Sequence, residues 1–472
     1  MRKIVLWSSL ILGSGIQFST FAQKIQWVQT TQAKPWQTMS YVKESKADST
    51  IVIDVTKKFQ KVDGIGGCFN EMGWEAMQKL SATQQNEILQ SLFNTVSGCG
   101  FNMCRMPIGA SDYALEWYSH NENSGDYKME KFSIDRDKKY LLPYIKAAQK
   151  IRPDLRIWAS PWSPPSWMKL NNSYRCVLRP ETGYAWSKMN EYRSVCEIMH
   201  DSTTLSSYTL YFSKFLQAYK KEGVNVYAIH VQNEPDGCQP FPSCIWNGSQ
   251  LRDYVKNYMG PFFKANHPDI EIWLGTLNSG NYEEYTAKVL NDKQAAQYIT
   301  GVGYQWDGKR AIAQAYKNHP DKKLMQTENE CGDGKNSWDY AEYVQGLIKH
   351  YFENGVESYL YWNMTLPQGG VSTWGWKQNS MITIDTTAKT FTYAPEFYVM
   401  KHLSAFVKKG YQRVSVSGDA SQSLAFLSPD NELVIFFANK SDKAKVYAFK
   451  SGKNAWSTKA EPHSFHSFKV KL

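Results

Sequence analysis

Residues 226–235 read VYAIHVQNEP, and this stretch decides the fold. The run 226–231 is apolar, contains β-branched residues and follows Gly223, a pattern typical of a fully buried strand. Pro235 ends the strand because proline has no N–H to donate to a sheet ladder. Glu234 is therefore predicted to lie where a buried strand emerges into a loop, and in a parallel barrel that rim carries catalytic groups. An ordinary exposed loop glutamate is the alternative interpretation.

The rest of the chain alternates strand-like and helix-like segments around this stretch. Eight strands are predicted, at 62–70, 101–108, 155–160, 226–231, 270–277, 298–306, 323–327 and 358–362. Helices are predicted between them at 74–97, 135–150, 204–222, 251–266, 281–291, 311–317 and 338–352. This alternation predicts a (β/α)8 TIM barrel over residues 61–395. Glu234 then ends the fourth strand and Glu328 the seventh.

Both ends of the chain carry other patterns. Residues 396–472 contain short strands at regular spacing, typical of a β-sandwich, and residues 23–60 contain a clear strand with no helix before it. We therefore predict an α/β protein whose barrel carries a side β-sandwich built from the N-terminal and C-terminal segments. Residues 1–22 have a basic start, an apolar run and small residues before the cleavage point, which predicts a signal peptide and an exported protein, whether periplasmic, cell-surface or extracellular.

The composition narrows the class of ligand. Aromatic residues make up 14% of the chain, with 17 Trp and 29 Tyr, and this richness suits carbohydrate because the C–H faces of sugars stack on indole rings. The net charge of +10 is dispersed, without a basic arm or stripe, so nucleic acid is not expected as a partner. Stable membrane insertion is not expected, since no later run is long and apolar enough. No zinc spacing and no nucleotide-binding loop is found, so neither a metal nor a cofactor is expected.

Eight cysteines occur in a chain that is expected to meet an oxidising compartment. Two disulfides are possible, Cys176–Cys196 and Cys238–Cys244, and each would stiffen a loop. The remaining cysteines lie in or beside strand-like runs and are predicted to be free thiols of the core; they are Cys68, Cys99, Cys104 and Cys331.

Six segments at or near predicted strand ends carry a resemblance to a known family. They are GGCFNE (66–71), RMPIGASD (105–112), PWSPPSWMK (161–169), NEP (233–235), QTE (326–328) and YWN (361–363). In this order they resemble glycoside hydrolase family 30, which includes glucosylceramidases, β-1,6-glucanases, xylanases and β-1,6-galactanases. The resemblance covers nearly the whole chain after residue 22. It implies a retaining β-glycosidase that works by double displacement.

The resemblance also implies roles for individual residues. Glu234 would be the acid/base, Glu328 the nucleophile, and Asn233 the partner of the sugar 2-hydroxyl. Further positions that match the sugar pocket of the family are Arg105, Asp112, Trp162, Trp362 and Asn379. Tyr304 and Trp306, at the end of the sixth strand, are further candidates. Because both catalytic residues are Glu, the environment is expected to raise the pKa of Glu234 and to lower that of Glu328.

Each assignment has a structural alternative. Glu330 lies two residues beyond Glu328, so in an extended strand both face the same way and Glu330 is the alternative nucleophile. Arg105 could be only a buried salt-bridge partner, and Asp112 could be a helix or turn cap. Trp162 and Trp362 could be packing residues.

The substrate is expected to be a β-linked glucan. The string TENECG (327–332) resembles the β-1,6-glucanase branch of the family, and the Trp-rich loop 371–376 could form a platform for a sugar chain. The alternatives are a glucosylceramidase-type β-glucosidase, a xylanase or a β-1,6-galactanase. An alternative of another class is a noncatalytic carbohydrate-binding protein, against which the presence of both Glu234 and Glu328 argues. The choice between endo and exo cleavage and the oligomeric state stay open.

Overall fold

The computed structural model describes residues 25–40, 46–176, 195–419 and 421–472. The predicted signal peptide, residues 1–22, lies outside these ranges. Within the ranges, no helix is both long enough and apolar enough to cross a membrane.

The centre of the fold is a closed barrel of eight parallel strands. Three strands precede it: β1 (Ile25–Thr30), β2 (Gln37–Met39) and β3 (Ser49–Lys61). The barrel strands are β4 (Gly64–Cys68), β5 (Met103–Ile108), β6 (Arg156–Pro161), β7 (Val226–His230), β8 (Glu271–Leu277), β9 (Ile299–Gln305), β10 (Lys323–Glu328) and β11 (Ser358–Asn363). They neighbour one another in chain order, and β11 pairs with β4 to close the ring. The predicted (β/α)8 barrel is confirmed, and all eight predicted strands are present.

Helices cover the outside of the barrel, and several are more divided than the sequence pattern predicts. Within the described ranges, the α-helices up to the last barrel strand are Glu71–Met77, Ala82–Phe93, Asp135–Lys139, Leu141–Ile151, Ser202–Lys221, Gly248–Tyr254, Gly260–Asn266, Lys288–Leu290, Lys293–Ala296, Ile312–Asn318 and Trp338–Glu353. The single helix predicted at 74–97 is two helices, because Ser81 and Gln84 form a capping box that starts a new helix. Two segments, Val255–Met259 and Glu283–Ala287, are π-helical turns.

The second domain is a β-sandwich made from both ends of the chain. After the small sheet of β12 (Thr365–Pro367), β13 (Ile382–Asp385) and β14 (Thr390–Tyr393), the helix Pro395–Ser404 leads into the C-terminal strands. These are β15 (Gln412–Gly418), β16 (Ser423–Leu427), β17 (Glu432–Asn439), β18 (Lys445–Ser451), β19 (Asn454–Ala460) and β20 (Ser464–Lys471). β1 and β3 pair with β20 and β15, so the predicted contribution of both chain ends is confirmed. Trp27, Phe437, Phe449 and Phe468 lie in its buried core.

Polar contacts attach the sandwich to the barrel. His402, in the helix Pro395–Ser404, contacts Ser467 Oγ at 3.0 Å and Thr30 Oγ1 at 2.8 Å, so one buried imidazole reaches both ends of the chain. Gln60 Nε2 donates to the carbonyl oxygens of Phe352 and Val356 at the end of a barrel helix. The N-terminal and C-terminal segments therefore form one domain that is hydrogen-bonded to the barrel wall.

One of the two possible disulfides is present. Cys176 is bonded to Cys196, and Cys238 Sγ lies within 4.8 Å of both sulfurs. The Cys238–Cys244 pairing is wrong, since Cys244 is a free thiol that packs in the main core while Cys238 packs against the Cys176–Cys196 bridge. The four cysteines predicted as core thiols are free and buried, as expected.

Candidate active site

A cavity of about 450 Å³ opens at the rim where the barrel strands end. Its walls come from the loops that follow several different strands, which is the usual construction of a TIM-barrel active site. The lining residues are Asp112, Trp162, Asn233, Glu234, Asp236, Gly237, Cys238, Gln239, Phe241, Asn278, Trp306, Asp307, Lys309, Glu328, Glu330, Trp376 and Gln378.

Glu234 and Glu328 face each other across this cavity and share one hydrogen-bond donor. Gln305 Nε2 donates to Glu234 Oε1 at 3.0 Å and to Glu328 Oε2 at 3.3 Å. The two carboxylate oxygens therefore lie at most about 6.3 Å apart, the sum of these two distances. For this pair of oxygens, the limit lies between the ~5–5.5 Å separation of carboxyl groups in retaining enzymes and the ~6.5–9.5 Å separation in inverting ones.

A fully buried arginine organises the floor of the site. Arg105 Nη1 donates to Glu328 Oε2 at 2.8 Å, and its Nη2 lies 2.5 Å from Asn233 Oδ1. Ser160 Oγ accepts from the other side of the guanidinium at 3.0–3.1 Å. Because Arg105 is 0% exposed, its charge is screened little by solvent and favours the ionised form of Glu328. A buried salt bridge was the alternative role predicted for Arg105. The salt bridge is present, and its partner is Glu328, one of the two carboxylates of the site.

The backbone is strained at two of these positions. Glu234 and Trp306 have φ angles of +48° and +47°, in the left-handed region that non-glycine residues rarely adopt. Such conformations persist where the surrounding structure imposes them, and they cluster at functional sites. At Trp306 the turn directs the indole N–H to Glu328 Oε1 at 3.0 Å. At Glu234 the backbone N–H donates to Thr276 O at 3.0 Å, which fixes the turn beyond β7.

The two carboxyl groups differ in their electrostatic surroundings. Burial, followed by the charge of Glu328, raises the pKa of Glu234 to about 7, and the Gln305 amide only partly offsets this. Burial also raises the pKa of Glu328, while Arg105, Trp306 and Gln305 each lower it. The expected net lowering at Glu328 is wrong, because burial outweighs the donors. The guanidinium bonds directly to Glu328 and so favours its ionised form, whereas Glu234, with a pKa of about 7, holds a proton at lower pH.

Comparisons with known proteins agree with this arrangement. The model of the glycosyl hydrolase family 30 TIM-barrel domain matches residues 62–407, and that of the family 30 beta sandwich domain matches residues 410–468. The chain belongs to glycosyl hydrolase family 30. It is a glycoside hydrolase, as the motifs at the strand ends indicated.

Two relatives and one solved structure illustrate the range of the family. The chain is 27% identical to the lysosomal acid glucosylceramidase of Mus musculus, over 83% of this chain and 78% of that protein. It is 27% identical to the endo-1,6-beta-D-glucanase neg1 of Aspergillus fumigatus, over 86% and 84% of the two chains. The structure of the endo-beta1,6-glucanase BT3312 superposes with a TM-score of 0.82 at 23% identity, covering 95% of this chain and 99% of that one, and it supports the fold alone.

Glu330, the alternative nucleophile, lines the cavity but has other partners than Glu328. Its carboxylate forms an ion pair with Lys309 and accepts from Tyr343 Oη at 2.8 Å. Neither Arg105 nor Gln305 contacts it among the described hydrogen bonds. β10 ends at Glu328, so the extended geometry that would place both carboxylates side by side does not continue to Glu330.

Four other predicted pocket residues surround the two carboxylates. Asn233 Oδ1 also accepts from Thr276 Oγ1 at 2.8 Å. Asp112 is buried, and its Oδ1 accepts no hydrogen bond from any residue that the structure describes. Trp162 lines the cavity, lies 4.3 Å from the Arg105 guanidinium and stacks on the buried Trp362 with ring centres 5.1 Å apart. An aromatic wall and an unused carboxylate oxygen are suited to the faces and hydroxyls of a sugar.

Like Arg105 and Trp362, two further predicted pocket residues do not line the cavity, and their side chains have partners elsewhere. Tyr304 points away from the barrel interior, where its hydroxyl contacts Thr286 Oγ1 at 2.6 Å. Asn379 is fully buried beneath a loop: it donates to Glu396 Oε1 at 2.7 Å and accepts from two backbone N–H groups, those of Gly334 and Asn336. The side chains of Tyr304 and Asn379 therefore make contacts within the fold and do not line the cavity.

Gln305 is the functional residue that the sequence reasoning missed. It is the next residue after Tyr304, and successive side chains of a strand face opposite sides. Since Tyr304 faces outward, Gln305 faces into the barrel, where it contacts both carboxylates. The alternation of inward-facing and outward-facing side chains along β9 could have identified Gln305, because a polar side chain at the end of a buried strand is expected to point into the rim. Ser160 and Thr276, at or near the ends of β6 and β8, were missed for the same reason.

Proposed function

We propose that this glycoside hydrolase cleaves β-1,6-glucan with retention of anomeric configuration, using Glu234 as acid/base and Glu328 as nucleophile. The observation that carries the proposal is the shared Gln305 amide, which keeps one oxygen of each carboxylate within about 6.3 Å of the other, below the ~6.5–9.5 Å separations of inverting enzymes. A noncatalytic binding protein would need neither this spacing nor the unequal surroundings of the two groups. Hydrolysis of a chromogenic β-glucoside separates these two classes.

In the first step the Glu328 carboxylate attacks the anomeric carbon and forms a glycosyl ester. The bond to the leaving oxygen breaks, and that oxygen takes the proton of Glu234. In the second step Glu234, now ionised, takes a proton from water, the water oxygen bonds to the anomeric carbon, and Glu328 leaves as a carboxylate. Arg105 stabilises the Glu328 carboxylate before and after the reaction. Asp112 Oδ1 and the Trp162 ring would hold the sugar, and Asn233 would hold its 2-hydroxyl.

The outer cavity favours a glucan over a glycolipid. Beside the aromatic residues that line it, the cavity presents the polar side chains of Asp236, Asn278, Asp307 and Lys309. Apolar lipid chains placed against such groups would remove them from water without replacing their hydrogen bonds, which is costly. The TENECG string supports the β-1,6 linkage, and the equal identity of 27% to a glucosylceramidase and to an endo-1,6-beta-D-glucanase supports a β-glucoside as substrate. The proposed export of the chain would bring it to a polysaccharide outside the cell.

Proton NMR of the first product tests retention directly. We expect the β-anomer to appear first during cleavage of β-1,6-glucan, followed by slow mutarotation, because two inversions at the same carbon restore its configuration. Parallel incubations with glucosylceramide, xylan and β-1,6-galactan provide the substrate controls. Initial release of the α-anomer would contradict the double displacement. Faster cleavage of any control substrate would show that β-1,6-glucan is not the preferred substrate.

The pH profile is expected to report the two carboxyl groups. With a poor leaving group, kcat/KM should fall about tenfold per pH unit above about pH 7, because the pKa of Glu234 is raised to about 7 and only its protonated form can act as the acid. Activity should also fall at acid pH, as Glu328 becomes protonated. A dinitrophenyl glycoside needs no protonation of its leaving group, so its alkaline limb should be absent. An identical alkaline limb for both substrates would remove the acid role from Glu234.

A further inference from the structure

Three tryptophans lie on two loops of the catalytic rim. Trp376 lines the cavity and Trp374, on the same loop, packs against the same buried aromatic cluster. Trp117, on the loop after β5, lies parallel to Trp374, with an angle of 3° between the ring planes and 6.2 Å between the ring centres. Trp117 is 37% exposed, which is high for an indole with no role in the core. We call Trp117 and Trp374 the aromatic ledge.

The ledge is held in place before any ligand binds. Ser372 Oγ accepts from the backbone N–H groups of Trp374 and Trp376 at 3.3 and 3.0 Å. Thr373 Oγ1 donates to Ala114 O at 2.7 Å and so joins the loop between β12 and β13, beyond the end of β11, to the loop after β5. The Arg175 guanidinium lies 4.9 Å from the centre of the Trp117 ring. A rigid aromatic surface loses little conformational freedom on binding, which favours its use as a ligand platform.

The order of strands around the barrel decides which part of a substrate the ledge meets. Glu234 follows β7, and the polar residues Asp236, Asn278 and Asp307 come from the loops after β7, β8 and β9. The ledge comes from the chain beyond the ends of β11 and β5, strands that lie on the other side of the ring. Because Glu234 must face the leaving oxygen, the leaving group occupies the first side. The far end of the sugar that bonds to Glu328 therefore points towards the ledge.

We propose that the aromatic ledge binds the glucosyl unit attached to the non-reducing side of the sugar in the cavity, so that the enzyme cleaves within chains. This inference rests on the proposed function for the identity of the sugar and for the role of Glu234. A glucosyl unit bound there extends the chain beyond the cavity on the non-reducing side, which cleavage within a chain requires. The inference also explains why an exposed indole, Trp117, lies on the loop that carries Asp112.

Two aryl glycosides with the same leaving group test the ledge. An aryl β-glucoside fills only the cavity, whereas an aryl β-gentiobioside adds one β-1,6-linked glucose on the non-reducing side. We expect Trp374→Ala to lower kcat/KM for the gentiobioside by about tenfold, the loss of one aromatic contact, and to change the glucoside by less than about twofold. Val371→Ala is the matched control, since Val371 is exposed on the same loop and is not aromatic. It should change neither substrate.

If Trp374→Ala lowers kcat/KM equally for both aryl glycosides, or for neither, the proposed role of the aromatic ledge is wrong. A calorimetric titration keeps the test independent of turnover: β-1,6-linked glucotriose is added to Glu328→Gln and to Glu328→Gln with Trp374→Ala. We expect Kd to rise about tenfold in the second protein. If the natural chain hydrolyses neither aryl glycoside, the proposed function is wrong, but this titration still tests whether the aromatic ledge binds a glucosyl unit. An unchanged Kd, or no binding to either variant, would contradict that binding whatever the activity.

Discussion

Replacing Glu328 with glutamine should lower the turnover of every β-glycoside by about 10⁴-fold or more, the scale of loss seen when a covalent nucleophile is removed. Glutamine keeps the size of the side chain and can still meet Gln305, but it removes the negative charge that attacks the anomeric carbon. The loss should be the same for good and poor leaving groups, since the nucleophile is needed for both. Initial rates with an aryl glucoside and with β-1,6-glucan provide the measurement.

Glu330→Gln is the matched control for this variant. It makes the same chemical change two residues along the chain, on a carboxylate that pairs with Lys309 and Tyr343 rather than with Arg105. We expect it to keep activity within about tenfold of the natural chain, because a partly exposed ion pair contributes little. Circular dichroism should show both variants folded. An active Glu328→Gln beside an inactive Glu330→Gln would transfer the role of nucleophile to Glu330.

The barrel and both carboxylates could be predicted from the sequence because their signals are local. Each barrel strand is a short buried run, and Glu234 and Glu328 stand where two such runs end. The positions of Tyr304 and Gln305 needed one more step, because a single residue of register moves a side chain from the barrel interior to its outer face. Counting inward and outward positions along β9 would have selected Gln305.

Other features depend on contacts between distant segments and carry no local signal. Asn379 was predicted to line the sugar pocket because its position matches the family. In the structure its side chain bonds to Gly334, Asn336 and Glu396 and so stabilises a loop. Cys238 and Cys244 are close in sequence, but their side chains enter different buried clusters. The pKa of Glu328 likewise depends on how deeply the site is buried, which the list of its hydrogen-bond donors does not reveal.

Glu234→Ala should separate the two steps of the reaction. Loss of the acid is expected to slow cleavage of β-1,6-glucan by about 10²–10⁴-fold, since general acid catalysis contributes on this scale. With a dinitrophenyl glucoside the first step should survive, because this leaving group departs without a proton. The second step should then stall, since no base remains to activate water. A rapid burst of dinitrophenolate followed by slow turnover is the expected time course.

Azide completes this test. A small anion needs no deprotonation, and the space left by the missing carboxylate would admit it to the glycosyl ester. We expect added azide to raise the steady-state rate of Glu234→Ala on the dinitrophenyl glucoside and to produce the β-glucosyl azide, because attack on an α-linked ester inverts the carbon once more. The natural chain, whose Glu234 carboxylate would repel the anion, should show no such increase. An α-azide would deny the covalent intermediate on Glu328, and equal losses of kcat/KM on glucan and dinitrophenyl glucoside would deny that Glu234 supplies the proton.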